Sequence, residues 1–159
     1  MASSLKNLSD HSHTAIPNSA GKRFGIVVSE WNIEITGSLR DAAIKTLLES
    51  GVHQNDILVK YVPGSFELTF GAQFLCEDSS FDSIICLGCV IQGETRHFDF
   101  ICDAVANGIT NVSLKYNKPV IFGVLTTNTL QQAQDRSGGK HGNKGIEAAF
   151  TAIKMVALK

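Results

Sequence analysis

Residues 83–91 read Ser83-Ile84-Ile85-Cys86-Leu87-Gly88-Cys89-Val90-Ile91. The run is almost wholly apolar and far shorter than the ~20 residues of a membrane span. It also lacks the polar alternation of a strand with one wet face. It therefore fits a central strand of a parallel sheet, covered on both sides. The chain then turns polar at Gln92-Gly93-Glu94-Thr95-Arg96-His97. From Thr95 to Tyr116 the periodicity is helical, with Phe98, Ile101, Val105, Ile109 and Val112 on one side.

The same alternation extends both ways. Arg23 to Ser29 reads as a strand, and Glu30-Trp31-Asn32 as a short loop. Thr36-Gly37-Ser38 offers capping hydroxyls for a helix that carries Leu39, Ala43 and Leu47 and ends at Gly51. Asp56 to Val62 is a second strand, Pro63-Gly64-Ser65 a turn, and Phe66 to Cys76 a helix. Beyond Tyr116, Pro119 to Thr126 is a strand, with its proline at the start, where no ladder donor is lost. Thr129 to Ser137 reads as a helix and residues 138–145 as a glycine-rich basic loop. Ile146 to Leu158 is a last helix with Ala149, Ile153 and Val156 inward. Four βα units and one extra helix predict an α/β fold, a three-layer α/β/α sandwich around a four-stranded parallel sheet. Residues 23–159 form this one domain. Residues 1–22, rich in Ser, Asn, His and Ala, are expected as a flexible N-terminal arm without the apolar core of a secretory signal.

Composition agrees with a globular enzyme-sized unit: 159 residues, 43% hydrophobic and 18% charged. A formal charge of −1 gives no pull toward nucleic acid or an anionic membrane. Cys86 and Cys89 form a CxxC, which invites a zinc or redox reading. Three residues along a strand span about 10 Å and point to opposite faces. That geometry forbids a disulfide and suits a shared metal badly. Cys76, Cys86, Cys89 and Cys102 are expected as reduced thiols, mostly buried, in a reducing, cytoplasmic compartment. His11, His13, His53 and His141 show no metal-ligand pattern, so no metal site is expected.

Ligands of open α/β sheets bind beyond the carboxyl ends of the strands. This selects Glu30-Trp31-Asn32, Gly64-Ser65-Phe66-Glu67, Gln92 to His97, and Thr126-Thr127-Asn128. In the third segment Gly93 permits close backbone approach. Glu94 and Thr95, at a helix start, offer N–H groups to an anion. His97 in the first turn either moves protons near neutral pH or packs against Phe98 and Phe100. Trp31 either stacks on a flat ligand or lids the core edge. Glu67 either holds a ligand or complements the helix dipole. Arg136, Lys140 and Lys144 either clamp a phosphate or form a solvated turn.

Read in order, these segments resemble the lumazine synthase family. The resemblance runs from Arg23 to Leu158. It is carried by Trp31-Asn32 with Ile35-Thr36, by 63–68 (PGSFEL), by 88–99 (GCVIQGETRHFD), by 122–127 (FGVLTT), and by Arg136-Ser137-Gly138 with Gly142-Asn143-Lys144-Gly145. It implies a flavodoxin-like fold and a transferase of riboflavin biosynthesis. That reaction condenses 5-amino-6-(D-ribitylamino)uracil with 3,4-dihydroxy-2-butanone 4-phosphate and releases phosphate and water. The nucleophile is the substrate's own amine, and no cofactor is implied.

By position, the resemblance implies that Trp31 stacks on the pyrimidine and that Ser65, Phe66 and Glu67 hold the ribityl chain. Cys89, Val90 and Ile91 line the ring edge through their backbone. Glu94, Thr95 and Arg136 take the phosphate, and His97 transfers protons. Phe122 covers the pyrimidine from a neighbouring subunit, and Lys144 adds a further contact. Gln92 stands where many relatives carry a basic residue, Arg96 where many carry a small or neutral one, and Cys89 where Ala is common. The implied assembly is a homopentamer. A 60-subunit shell stays open, because no insertion separates the Arg136 helix from Gly142. Riboflavin synthase is a further implied partner. The alternatives of the same fold are a non-catalytic flavin-binding module and a shell-forming protein without chemistry.

Overall fold

The structure is a computed structural model that describes Asn7, Ser9, Asp10 and residues 17–158. The apolar runs become four strands: β1 (Phe24–Ser29), β2 (Ile57–Val62), β3 (Ser83–Ile91) and β4 (Val120–Thr127). They pair in parallel in the order β2-β1-β3-β4. β3 is internal and buried from Ser83 through Cys89, as its unbroken apolar run requires. Among the described residues five α-helices accompany the strands: α1 (Ile33–Glu49), α2 (Leu68–Cys76), α3 (His97–Tyr116), α4 (Leu130–Asp135) and α5 (Lys144–Val156).

Side-chain alternation divides the core into two layers. Ile26, Ile85, Leu87 and Ile121 pack on Leu39, Ala43, Ala149 and Ile153 of α1 and α5. Val27, Ile84, Cys86 and Val124 pack on Leu68, Ala72, Val105 and Ile109 of α2 and α3. Each fully buried aliphatic contributes about 2 kcal/mol, so both helix layers are held firmly on the sheet. At Gly145 a Cβ would collide with the Leu39 carbonyl, so glycine is what lets α5 lie against α1. Cys86 and Cys89 point into opposite layers, and all four cysteines are free thiols.

Several boundaries differ from the sequence expectation. α1 begins at Ile33, before Thr36-Gly37-Ser38, with Asn32 as N-cap in the left-handed region (φ 60°, ψ 45°). The Thr36 hydroxyl does not cap. It donates to the Ser29 carbonyl at 2.8 Å, tying α1 to the end of β1. α3 begins at His97 rather than Thr95, because residues 94–96 form a bend and turn ahead of it. The expected glycine-rich loop is a small antiparallel hairpin, β5 (Ser137–Gly139) with β6 (Gly142–Asn143). Positive φ values at Gly138 and Gly142 allow its tight path. α5 then starts at Lys144, where Asn143 Oδ1 accepts the Gly145 amide at 2.8 Å.

Part of the N-terminal segment lies against the domain. Ser19 is buried, and its amide donates to the Ser50 carbonyl at 3.0 Å. The Ser9 hydroxyl accepts the Asn143 amide at 2.9 Å. The rest of the expected arm, residues 1–6, 8 and 11–16, lies outside the described residues. Among the described residues no helix is long and apolar enough to cross a membrane.

Candidate active site

The carboxyl ends of β1, β2 and β3 converge on a cleft of about 670 Å³, a size suited to small-molecule ligands. Trp31 comes from the loop after β1. Gly64, Ser65, Phe66 and Glu67 come from the loop after β2. Cys89, Val90 and Ile91 end β3, with Gly93 and Thr95 just beyond. His97, Phe98 and Ile101 descend from α3.

The loop after β1 is held on both sides. The Glu30 amide donates to the Val62 carbonyl at 2.8 Å, and the Trp31 amide to the Pro63 carbonyl at 3.0 Å. Asn32 Nδ2 donates to the Cys89 carbonyl at 3.0 Å. Trp31 itself is 73% exposed, so it does not lid the core, and its indole is free at the cleft. Ser65 is buried at the cleft wall. Its Oγ has no hydrogen-bond partner among the described residues. An orphaned buried hydroxyl costs about 1–3 kcal/mol, which a polar ligand would relieve. Gly88 makes this placement possible, since a Cβ there would stand 2.8 Å from Ser65 Oγ. Glu67 precedes α2 and makes no side-chain capping bond.

His97 is the first residue of α3 and is exposed. Its amide faces Thr95 Oγ1 at 3.4 Å. Phe98 and Ile101, expected on one side of α3 with Val105, both wall the cleft, and Ile101 also packs against the α2–α3 core layer. Glu94 and Thr95 are exposed in the bend before α3. Among the described residues neither amide has a partner. A side chain at Gly93 would meet nothing within 4 Å, so its bareness leaves the cleft open rather than serving packing. Burial pushes the Cys89 thiol from 9.0 up to about 11. It stays protonated near neutral pH and offers bulk and backbone, not a thiolate.

Four sequence-derived candidates do not line this cleft: Glu94, Phe122, Arg136 and Lys144. Glu94 lies between two lining residues. Phe122 sits mid-strand opposite Cys86, five positions before Thr127. Arg136 follows α4, whose Ala133 packs with the α1 and α5 layer, across the sheet from α3. Lys144 pairs with Glu147 and Lys140 with Asp135. Within the basic stretch, Arg136 Nη1 is buried without a partner. Arg96 is exposed, 3.6 Å from Asp99, and does not line the cleft. Asn32, Phe98 and Ile101 were given no site role from the sequence, although Asn32 lay in a segment that the strand-end rule selected. For Asn32 the available signal was an Asn at a strand-to-helix turn, since Asn tolerates positive φ.

A parallel sheet with a polar-and-aromatic cleft at its carboxyl edge defines a flavodoxin-like α/β fold with a site of small-molecule size. Among the described residues no group of three His, Cys, Asp or Glu could hold a metal ion. A family profile described as 6,7-dimethyl-8-ribityllumazine synthase matches residues 21–159. A protein of that name from Cytophaga hutchinsonii is 60% identical over 99% of this chain and 98% of its own length. Those from Parabacteroides distasonis and Porphyromonas gingivalis are 53% and 51% identical, covering 98% and 100% of this chain and 98% and 99% of their own. The chain belongs to the 6,7-dimethyl-8-ribityllumazine synthase family, enzymes of riboflavin biosynthesis.

Proposed function

We propose that the cleft carries out the family's condensation of 5-amino-6-(D-ribitylamino)uracil with 3,4-dihydroxy-2-butanone 4-phosphate. As a family member, the chain is a transferase-type enzyme that forms 6,7-dimethyl-8-ribityllumazine, with loss of phosphate and water. The non-catalytic alternatives are not favoured. The observation that carries the residue assignment is the convergence of a free indole, an orphaned hydroxyl and a histidine in one cleft.

Trp31 stacks on the pyrimidine. The Ser65 hydroxyl and the Glu67 carboxylate bind ribityl hydroxyls alongside Phe66, and the end of β3, Cys89 to Ile91, presents backbone groups to the ring edge. The free amides of Glu94 and Thr95 face the phosphate. The substrate amine attacks the ketone, so no protein lysine is needed, and no lysine lines the cleft. His97 accepts and returns the protons that carbinolamine formation, dehydration and phosphate elimination require. Much of the acceleration comes from holding the two substrates together.

Phe122, Arg136 and Lys144 act from a second copy of the chain. Arg136 carries its uncompensated guanidinium to the phosphate, and Phe122 covers the pyrimidine. This reading requires a second copy beside each cleft; the assembly is proposed as a homopentamer, with a 60-subunit shell as its extension and riboflavin synthase as a further partner. A bare pentamer in phosphate buffer, read by light scattering, would refute the shell. The decisive assay supplies purified protein with both substrates and follows lumazine absorbance together with phosphate release. Concurrent production of both is expected, and no turnover refutes the assignment.

A further inference from the structure

We infer that Asn32 is a positioning residue that sets the gap between the Trp31 platform and the β3 backbone, and so the fit of the flat substrate between them. The inference rests on the functional reading above, and three observations carry it. Asn32 holds the left-handed region, at φ 60°, one of two non-glycine residues in the described chain with positive φ. Its side chain does not cap α1, the usual task of Asn at that position. Instead Nδ2 donates to the Cys89 carbonyl at 3.0 Å. Both ends of this bond belong to cleft walls, since Trp31 and Cys89 each line it.

The other supports of the loop leave this role unfilled. The amides of Glu30 and Trp31 bind the β2 side, at Val62 and Pro63. The Thr36 hydroxyl binds within its own segment, at Ser29. Asn32 supplies the side-chain bond from this loop to β3. Without it, the backbone carrying Trp31 keeps its β2 contacts but loses its side-chain reference to the strand whose edge meets the ring.

Two substitutions separate this role from simple folding. Asn32→Gly keeps the left-handed backbone and deletes the donor. Asn32→Asp keeps shape and φ tolerance but sets a carboxylate against the Cys89 carbonyl. Trp31 is the only tryptophan in the chain, so its emission and acrylamide quenching report the platform directly, without substrate. We expect both variants to assemble and melt like the unsubstituted protein. KM for the pyrimidine should rise roughly three- to tenfold, the range that a neutral hydrogen bond of ordinary strength supplies. kcat should change less, KM for the phosphate substrate should hold, and Trp31 quenching should increase in both. Asp should be the worse of the two. Unchanged KM and unchanged quenching in Asn32→Gly overturn the inference, as does a lowered melting temperature with both readouts unmoved. Absence of turnover in the unsubstituted protein would instead refute the functional reading. The quenching comparison would still judge the tether.

Discussion

Co-expressing His97→Ala and Arg136→Ala chains tests whether two copies build each site. One chain's cleft contains His97 but neither Arg136, Phe122 nor Lys144. Phe122 stands five residues short of the Thr127–Ile91 pair that ends the ladder, about 16 Å along the strand at ~3.3 Å per residue. Arg136 follows α4, whose Ala133 packs in the α1 and α5 layer, across the sheet from α3. The proposed head-to-tail ring would bring these groups to the next copy's cleft. A site is then intact when its His97 half comes from an Arg136→Ala chain and its Arg136 half from a His97→Ala chain. Random 1:1 assembly gives one half times one half, so about a quarter of the sites are whole. Losing a general acid–base group costs roughly 10²–10⁴-fold. Losing a charged hydrogen bond of about 1.5–3 kcal/mol costs at least ~10-fold. Each homogeneous variant should therefore fall below about a tenth of normal activity, and the mixture should recover to about a quarter. Lumazine absorbance gives the rates, and native mass confirms mixing. A confirmed mixture no faster than the better single variant would refute the shared site.

His97→Ala alone should lower kcat by roughly 10²-fold without abolishing turnover, since proximity persists; a fall to the uncatalysed rate would show that proton transfer dominates. Gly88→Ala places a Cβ 2.8 Å from Leu68 Cδ1 and Ser65 Oγ. Overpacking of about 1–3 kcal/mol in denaturant unfolding is expected, with a raised KM for the pyrimidine, and an unshifted midpoint would contradict the packing argument. Three of the four cysteines are buried and Cys102 is half-buried, so a thiol reagent should titrate at most one per native chain and four in denaturant. Burial raises the Cys89 pKa from 9.0 to about 11, so the folded state holds that proton longer than the unfolded chain does. Its contribution to stability is complete below about pH 9 and lost as pH rises toward 11. Cys89→Ala should therefore flatten the alkaline fall of the melting temperature, and an identical slope would count against this.

The lining of the cleft was legible where chemistry and topology coincide. Trp31, Ser65, Phe66, Glu67, the end of β3, Thr95 and His97 all follow strands at the carboxyl edge of the sheet, and the structure gathers them into one cleft. Helical spacing put Phe98 and Ile101 on one side of α3, and Ile101 does pack on the α2–α3 core. That both also wall the cleft was hidden, because spacing shows which residues share a face, not what lies beyond the sheet edge. Reading Thr36-Gly37-Ser38 as a helix start failed because hydroxyls that suit a cap also serve inside a helix. There Thr36 reaches the buried Ser29 carbonyl. The hairpin at 137–143 was hidden because glycines signal a turn without saying what pairs across it.

The sequence by itself determined the parallel sheet, its two covered faces and the edge where the cleft opens. Apolar runs of strand length alternating with amphipathic helices bury well in one way, and the polar switch after each strand marks the open end. Only the tertiary structure decided which functional groups one chain can bring together. It set Ser65 against Gly88 and bonded Asn32 to Cys89. It left Phe122, Arg136 and Lys144 off the cleft. Those relations depend on distances between segments far apart in the chain, and local patterning carries no record of them.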